Sequence, residues 1–263
     1  MRIRDSVVVI TGAAGGIGSA LARRFCAEGA RGLLLADLDG DAVEDLAEEL
    51  DREGCRTVGV ASDVSRESDV RLLVETAEAH LGPIDLFCSN AGIGSGAGLE
   101  APDAVWQACW DINVMAHVYA ARAVLPGMLK RGRGWLLNTA SAAGLLQMPG
   151  DLAYTVTKHG AVAFAEWIST AYGPQGIGVS VLCPQGVRTG MTESRATQEV
   201  LTAFGELIAP EAVADSVVAA LAEERFLVLP HPEVAGYEQA RAADRDAWLA
   251  GMQKVVARLP KLS

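Results

Sequence analysis

The chain has 263 residues, half of them hydrophobic, 5% aromatic and 28 of them glycine, a composition that excludes a disordered or low-complexity protein. Its 22 basic and 33 acidic side chains leave a net charge of −11, which opposes a nucleic-acid footprint and attraction to an anionic membrane. Five cysteines at wide spacings, with no C-x-x-C pair, suggest neither a disulfide framework nor a zinc site, so reduced core thiols and no metal are expected.

No run of ~18 apolar residues suggests a membrane span, and the short apolar run Val7 to Ile10 reads as a strand rather than a signal peptide. One cytoplasmic α/β domain over 1–263 is the expectation. Ser6 to Ile10 leads into the glycine turn Thr11 to Gly18 and then an amphipathic helix to Glu28. Glycines there let backbone N–H groups approach a pyrophosphate, and the helix N-terminus adds partial positive charge. A second strand, Leu33 to Ala36, ends in Asp37, where a carboxylate accepts hydrogen bonds from adenosine ribose hydroxyls and repels a 2′-phosphate. That favours NAD(H) over NADP(H), as does the absence of Arg or Lys from the glycine turn.

Asp41 to Glu53 reads as a helix, Thr57 to Ala61 as a strand and Glu67 to Leu81 as a helix. Such alternation implies a parallel sheet with right-handed crossovers. Asp63 follows the third strand and either meets the adenine amino group or caps the next helix. Ile84 to Ser89 is a fourth strand, ending in the turn Asn90-Ala91-Gly92. Pro102 to about Arg131 is helical, broken between Gln107 and Ile112, and carries Asn113 among apolar neighbours. The Asn113 amide either is satisfied in the core or holds a group beside a site.

Trp135 to Thr139 is a fifth strand delivering Ser141 at its end, and Asp151 is placed to cap a helix that runs to Tyr172. On that helix Tyr154 and Lys158 are four residues apart and share a face. An ammonium beside a phenol favours phenolate, and bringing a tyrosine from ~10 to about 7 takes roughly 4 kcal/mol. Alone, the spacing is also common on solvated helices. Gly178 to Leu182 makes a sixth strand, followed by an ordered turn from Pro184 to Thr189. Residues 190–209 show no firm period and are expected to form a substrate flap. A helix from Pro210 to Glu224, a strand from Phe226 to Leu229 and a C-terminal extension over 231–263, helical from Tyr237 to Leu259, complete the chain. The four histidines, His80, His117, His159 and His231, share no ligand spacing and read as surface or cap residues.

Taken in order, T-G-x-x-x-G-x-G at Thr11 to Gly18, Asp37, Asp63-Val64, Asn90 to Gly92, Asn113, Ser141, Y-x-x-x-K at Tyr154 and Lys158, and the Pro184 to Thr189 turn resemble the short-chain dehydrogenase/reductase superfamily over nearly the whole length. The resemblance implies a doubly wound Rossmann fold: one domain with a seven-stranded parallel sheet and helices on both faces. It further implies a tetrad of Asn113, Ser141, Tyr154 and Lys158, with Tyr154 as general acid/base, Ser141 on the substrate oxygen and Lys158 lowering the Tyr154 pKa and binding the nicotinamide ribose. Asn113 is implied to hold a water of a proton relay. Cofactor contacts are implied at Gly12, Gly15, Gly16, Ile17, Gly18, Asp37, Asp63, Val64, Asn90, Ala91, Gly92, Tyr154, Lys158, Pro184, Val187 and Thr189.

Two positions depart from the family pattern: Ser89 stands where another Asn is common, and Gln185 where Pro is usually followed by Gly. Ser95, Leu145, Gln147, Met148, Gln185 and Met191 are the expected substrate-pocket residues, none of them charged. The expected activity interconverts a small-molecule secondary alcohol and a ketone with NAD(H), in a homotetramer or homodimer. The alternative is a catalytically silent dinucleotide-binding regulator.

Overall fold

A computed structural model describes residues 1–192, 195–202 and 204–259. Seven parallel strands form one sheet in the order β3-β2-β1-β4-β5-β6-β7. They are β1 Val7–Thr11, β2 Gly32–Asp37, β3 Thr57–Ala61, β4 Leu86–Ser89, β5 Gly134–Thr139, β6 Ile177–Leu182 and β7 Leu227–Val228. The helices are α1 Gly16–Ala27, α2 Gly40–Arg52, α3 Glu67–His80, α4 Asp103–Trp110, α5 Ala116–Arg131, α6 Leu152–Tyr172, α7 Arg195–Thr202, α8 Pro210–Ala222, α9 Glu233–Ala243 and α10 Arg245–Val256.

Strands covered on both faces need apolar residues without alternation, and β1 reads VVVIT with every residue buried. Its side chains nevertheless divide by the period of two. Val7 and Val9 join a core under α3, α5 and α6, whereas Val8 and Ile10 join a core under α1, α2 and α8. β2 divides likewise, with Leu34 and Ala36 on the first face and Leu33 and Leu35 on the second. Each sheet face therefore has its own core, as a doubly wound fold requires.

The strand order reverses between β1 and β4, and ligands bind at the carboxyl ends of the strands beside such a switch. Thr11, at the end of β1, closes that gap: its Oγ1 accepts the N–H of Asn90 at 3.1 Å and of Ala91 at 3.3 Å. Gly12 adopts a φ of 65°, and a Cβ on it would lie 2.8 Å from the Ala91 Cα. Only glycine permits both that conformation and that approach.

The expected break in the helix after Pro102 is a π-turn, Asp111–Met115, between α4 and α5. Its one-residue excess rotates Asn113 off the helix face set by α4. The C-terminal extension is two helices rather than the one expected from Tyr237 to Leu259. Asp244 leaves helical geometry at φ −146° and ψ 96°, and its carboxylate caps the Ala247 N–H at 2.9 Å, which restarts the chain as α10. Within 190–209 the chain forms a 3-10 turn, Gly190–Thr192, and α7. Residues 193, 194 and 203 of the expected flap, and 260–263 of the extension, lie outside the described residues. The five cysteines are free, and four are buried.

Candidate active site

α1 starts at Gly15 with no side-chain cap and no acidic residue in its first turn, so its orphan N–H groups have no side-chain acceptor. A Cβ on Gly15 would meet only the Gly12 carbonyl oxygen, at 3.8 Å, whereas one on Gly18 would lie 2.0 Å from that same oxygen. The turn is thus open at Gly15 and closed at Gly18. Free N–H donors facing open space at a helix N-terminus fit a pyrophosphate. Asp37, at the end of β2, accepts the Ala14 N–H at 3.0 Å on Oδ2, which ties the carboxylate to the glycine turn. These features fit a dinucleotide, with the turn as cradle and Asp37 beside it.

Asp63 adopts the capping alternative: its Oδ1 accepts the Ser65 hydroxyl at 2.6 Å and the Ser65 N–H at 3.0 Å. Those bonds, with the Arg66 guanidinium 3.3 Å from Oδ2, hold its carboxyl below the usual range. Val64 next to it is buried.

A chain of hydrogen bonds links the glycine turn to α6. Asn90 Nδ2 donates to the Gly12 carbonyl at 3.2 Å, and its Oδ1 accepts the Thr139 hydroxyl at 3.1 Å. The Thr139 carbonyl in turn accepts Lys158 Nζ at 3.0 Å. Lys158 is 2% exposed, and burial pulls its ammonium down to about 8. Its Nζ lies 5.5 Å from the centroid of the Tyr154 ring. Gly92 makes room here, since a Cβ on it would stand 3.1 Å from Lys158 Nζ and 3.2 Å from Asn113 Oδ1.

Asn113 is fully buried and satisfied by protein. Its Oδ1 accepts the Ile93 N–H at 2.9 Å, and its Nδ2 donates to the Ile93 carbonyl at 2.8 Å and to Thr157 Oγ1 at 3.1 Å. The amide therefore pins the irregular segment following Gly92 against α6, which is a positional role.

Asp151 caps α6 as expected, accepting the Tyr154 N–H at 3.1 Å. It also collects the Ser95 and Gly96 N–H groups, each at 2.9 Å, and the Ser95 hydroxyl. Ser95 is consequently committed to Asp151.

Ser141 Oγ accepts the Ala143 N–H at 3.1 Å and stands 3.5 Å from the Pro184 carbonyl. Burial pushes the Tyr154 phenol up to about 12, and the neighbouring Ser141 hydroxyl acts in the opposite direction without outweighing it. The unliganded site therefore favours the neutral phenol at pH 7. Desolvation of the phenolate sets this direction, and the Ser141 hydroxyl only partly counters it.

Beside Ser141 opens a cavity of about 800 Å3. Gln147, Met148 and Gln185 line it, as expected of pocket residues. Leu145 packs in the core instead, Met191 is 52% exposed, and with Ser95 these form no part of the cavity wall. The far wall comes from segments with no recognisable motif: Leu201 of α7, Phe204, Tyr237 of α9, and Trp248, Met252 and Val255 of α10. Apolar residues at helical spacing were their only signal. No Lys, Arg or His is among the described residues lining the cavity.

Two of the histidines read as surface or cap residues, His117 and His231, are buried. His117 on α5 stacks on Phe164 at 6.2 Å, with burial pulling its ring down to about 3. His231 lies behind the turn after β6. Of the other expected cofactor residues, Gly16 contacts Thr189, whose Cγ2 would lie 2.5 Å from a Cβ on that glycine, and buried Val187 bridges Ile208. Ile17 packs partly buried against the α1 face of the core.

The family model described as short chain dehydrogenase matches residues 6–200. The chain belongs to the short-chain dehydrogenase family. It is thereby an oxidoreductase of CH–OH and ketone groups. Among its relatives, 1-deoxy-11-beta-hydroxypentalenate dehydrogenase of Streptomyces avermitilis is 35% identical over 94% of this chain and 92% of its own. The 2-(S)-hydroxypropyl-CoM dehydrogenase 3 of Xanthobacter autotrophicus is 31% identical over 86% of this chain and 93% of its own. A solved short-chain dehydrogenase/reductase from Burkholderia phymatum, in complex with NAD, superimposes with a TM-score of 0.87 at 31% identity, covering 94% of this chain and 96% of that one.

Proposed function

We propose that this short-chain dehydrogenase interconverts a bulky, uncharged, mostly apolar secondary alcohol and its ketone, using NAD(H) in preference to NADP(H). The observation that carries the reading is Ser141, a neighbour of Tyr154, opening on a cavity of about 800 Å3 without a basic residue among those described. An anionic substrate would find no counter-ion there. The relative named for 1-deoxy-11-beta-hydroxypentalenate supports a hydroxylated substrate, and the Burkholderia structure in complex with NAD supports the cofactor. Asp37 supports the NAD preference, since a 2′-phosphate beside its carboxylate would be repelled.

When bound, the nicotinamide supplies the hydride acceptor for oxidation and the hydride donor for reduction. In the reductive direction the neutral Tyr154 phenol gives its proton to the carbonyl oxygen, which Ser141 holds by a hydrogen bond as negative charge develops. In the oxidative direction the same phenol must first ionise and then takes the hydroxyl proton. Lys158 stands beside it as the buried cation that favours the phenolate. Asn113 holds Ile93 and Thr157, which fixes the relation of Gly92 to Lys158.

Exposed Trp110 on α4, with Val156 and Trp167 on α6, supports a homotetramer or homodimer, which light scattering of the purified chain would distinguish from a monomer. A cytoplasmic setting accords with the free thiols.

The test is turnover of a panel of cyclic secondary alcohols and ketones, decahydro-2-naphthol included, with each dinucleotide. NAD+ should support oxidation better than NADP+, and Tyr154→Phe should lower kcat by about 10²- to 10⁴-fold. A preference for NADP+ would refute the role of Asp37. Near wild-type turnover by Tyr154→Phe would refute the mechanism.

A further inference from the structure

We propose that His231 is a positioning residue for the reaction, holding the turn after β6 so that Ser141 on one side and the Val187–Thr189 segment on the other are correctly placed. The proposal rests on the dehydrogenase reading above. His231 sits between β7 and α9 and is 3% exposed. The Gln185 N–H donates to its Nδ1 at 3.1 Å, so that nitrogen carries no proton. The proton is on Nε2, which donates to the Gly186 carbonyl at 3.1 Å. One rigid ring thus joins a donor and an acceptor of two consecutive residues.

What hangs from this turn gives the clamp its consequence. The Pro184 carbonyl, adjacent to Gln185, accepts the Ala142 N–H at 2.8 Å and faces the Ser141 hydroxyl. Beyond Gly186, Val187 bridges Ile208, and Thr189 packs against Gly16 of the glycine turn. The Gln185 side chain lines the substrate cavity and donates Nε2 to the Phe204 carbonyl. His231 thus touches one turn whose ends reach the catalytic serine, the cofactor cradle and the cavity wall. Gln185 stands where the family resemblance leads one to expect glycine, and the histidine takes up its backbone N–H.

Loss of the ring would leave a buried N–H and a buried carbonyl unpaired, and the turn would shift to find new partners. Displacements of about 1 Å at a reacting site can cost ~10²-fold in rate. Three full-length variants separate the two bonds. His231→Asn retains an acceptor near the Nδ1 position, His231→Gln retains a donor near the Nε2 position, and His231→Ala retains neither.

In steady-state oxidation with NAD+ and the best alcohol of the panel, His231→Ala should lose about 10- to 100-fold in kcat. The KM for NAD+ should change less, because Asp37 and the open face at Gly15 lie away from the turn that His231 holds. His231→Asn and His231→Gln should each recover part of the rate. Independently of turnover, long-range 1H–15N spectra of the wild-type chain should show His231 as the Nε2–H tautomer. A folded His231→Ala with wild-type kcat, even if less heat-stable, would overturn the proposal, as would the Nδ1–H tautomer. If His231→Ala does not fold, absence of any kcat loss in both amide variants would also overturn it. Failure of the dehydrogenase reading is distinguishable, because Tyr154→Phe would then also leave turnover unchanged.

Discussion

The two walls of the site rest on different physics. The inner wall, which lies outside the cavity lining and runs from the glycine turn through Asn90 and Thr139 to Lys158, is a continuous path of hydrogen bonds between 3.0 and 3.2 Å. Each polar group there has a partner specified by a strand end. The outer wall, from α7, α9 and α10, is apolar contact, and its helices leave Tyr237, Leu249 and Val256 38%, 44% and 45% exposed. Chemistry needs fixed geometry and is carried by the wall whose bonds over-determine it. Discrimination between substrates needs only shape and apolar area, which many side chains supply at a cost of about 1–3 kcal/mol per group.

The sharpest way to break this contrast is in the glycine turn. Gly18→Ala would put a methyl group 2.0 Å from the Gly12 carbonyl, so a large fall in melting temperature and loss of NADH binding are expected. Gly15→Ala has only that oxygen, at 3.8 Å, to meet and should keep the wild-type melting temperature while weakening NADH binding. Thermal melts and NADH fluorescence titrations of the pair read this directly. Equal melting temperatures for the two variants would show the inner wall to be less rigid than described.

Lys158→Met should separate stability from function. The folded state holds the Lys158 pKa at about 8 against 10.5 for a free lysine, so keeping the ammonium buried costs about 3 kcal/mol. That cost is fully present below pH 8 and fades as pH rises towards 10.5, where both states are neutral. Loss of the bond to Thr139 offsets about 1–2 kcal/mol of it. The unliganded variant should therefore be about 1–2 kcal/mol more stable at pH 7, with the advantage shrinking above pH 8, while losing activity. Urea melts across that pH range test the sign. The smallest effect belongs to the outer wall: Trp248→Ala should raise the KM for decahydro-2-naphthol about tenfold and leave kcat within about threefold. A kcat loss as large as that of Tyr154→Phe would place Trp248 in the chemistry and dissolve the distinction between the walls.

The order of the elements was legible because continuous apolar strands alternate with amphipathic helices, and each strand end carries a short polar signal. Thr11 to Gly18, Asp37, Asn90 to Gly92, Ser141 and the Tyr154–Lys158 pair are such signals, and they gather along the carboxyl edge of the sheet. The outer wall was not legible, since Leu201, Tyr237, Trp248 and Met252 carry no spacing that distinguishes a cavity lining from an ordinary helix face. Ser95 and Leu145 lie outside the cavity lining for the converse reason. Their neighbours in sequence flank the site, but Asp151 captures one and the core the other.

Local sequence determined the strands, the turns and the residue types available for proton transfer, because these depend on backbone conformation and periodicity within a few residues. Tertiary structure alone decided the state of those residues. Burial, rather than the ammonium four residues away, sets the Tyr154 phenol at about 12, and it also draws Lys158 down to about 8. Likewise, His231 meets Gln185 and Gly186 only because β7 returns beside β6. Desolvation and contacts across tens of residues are sums over the packed chain, which no local pattern contains.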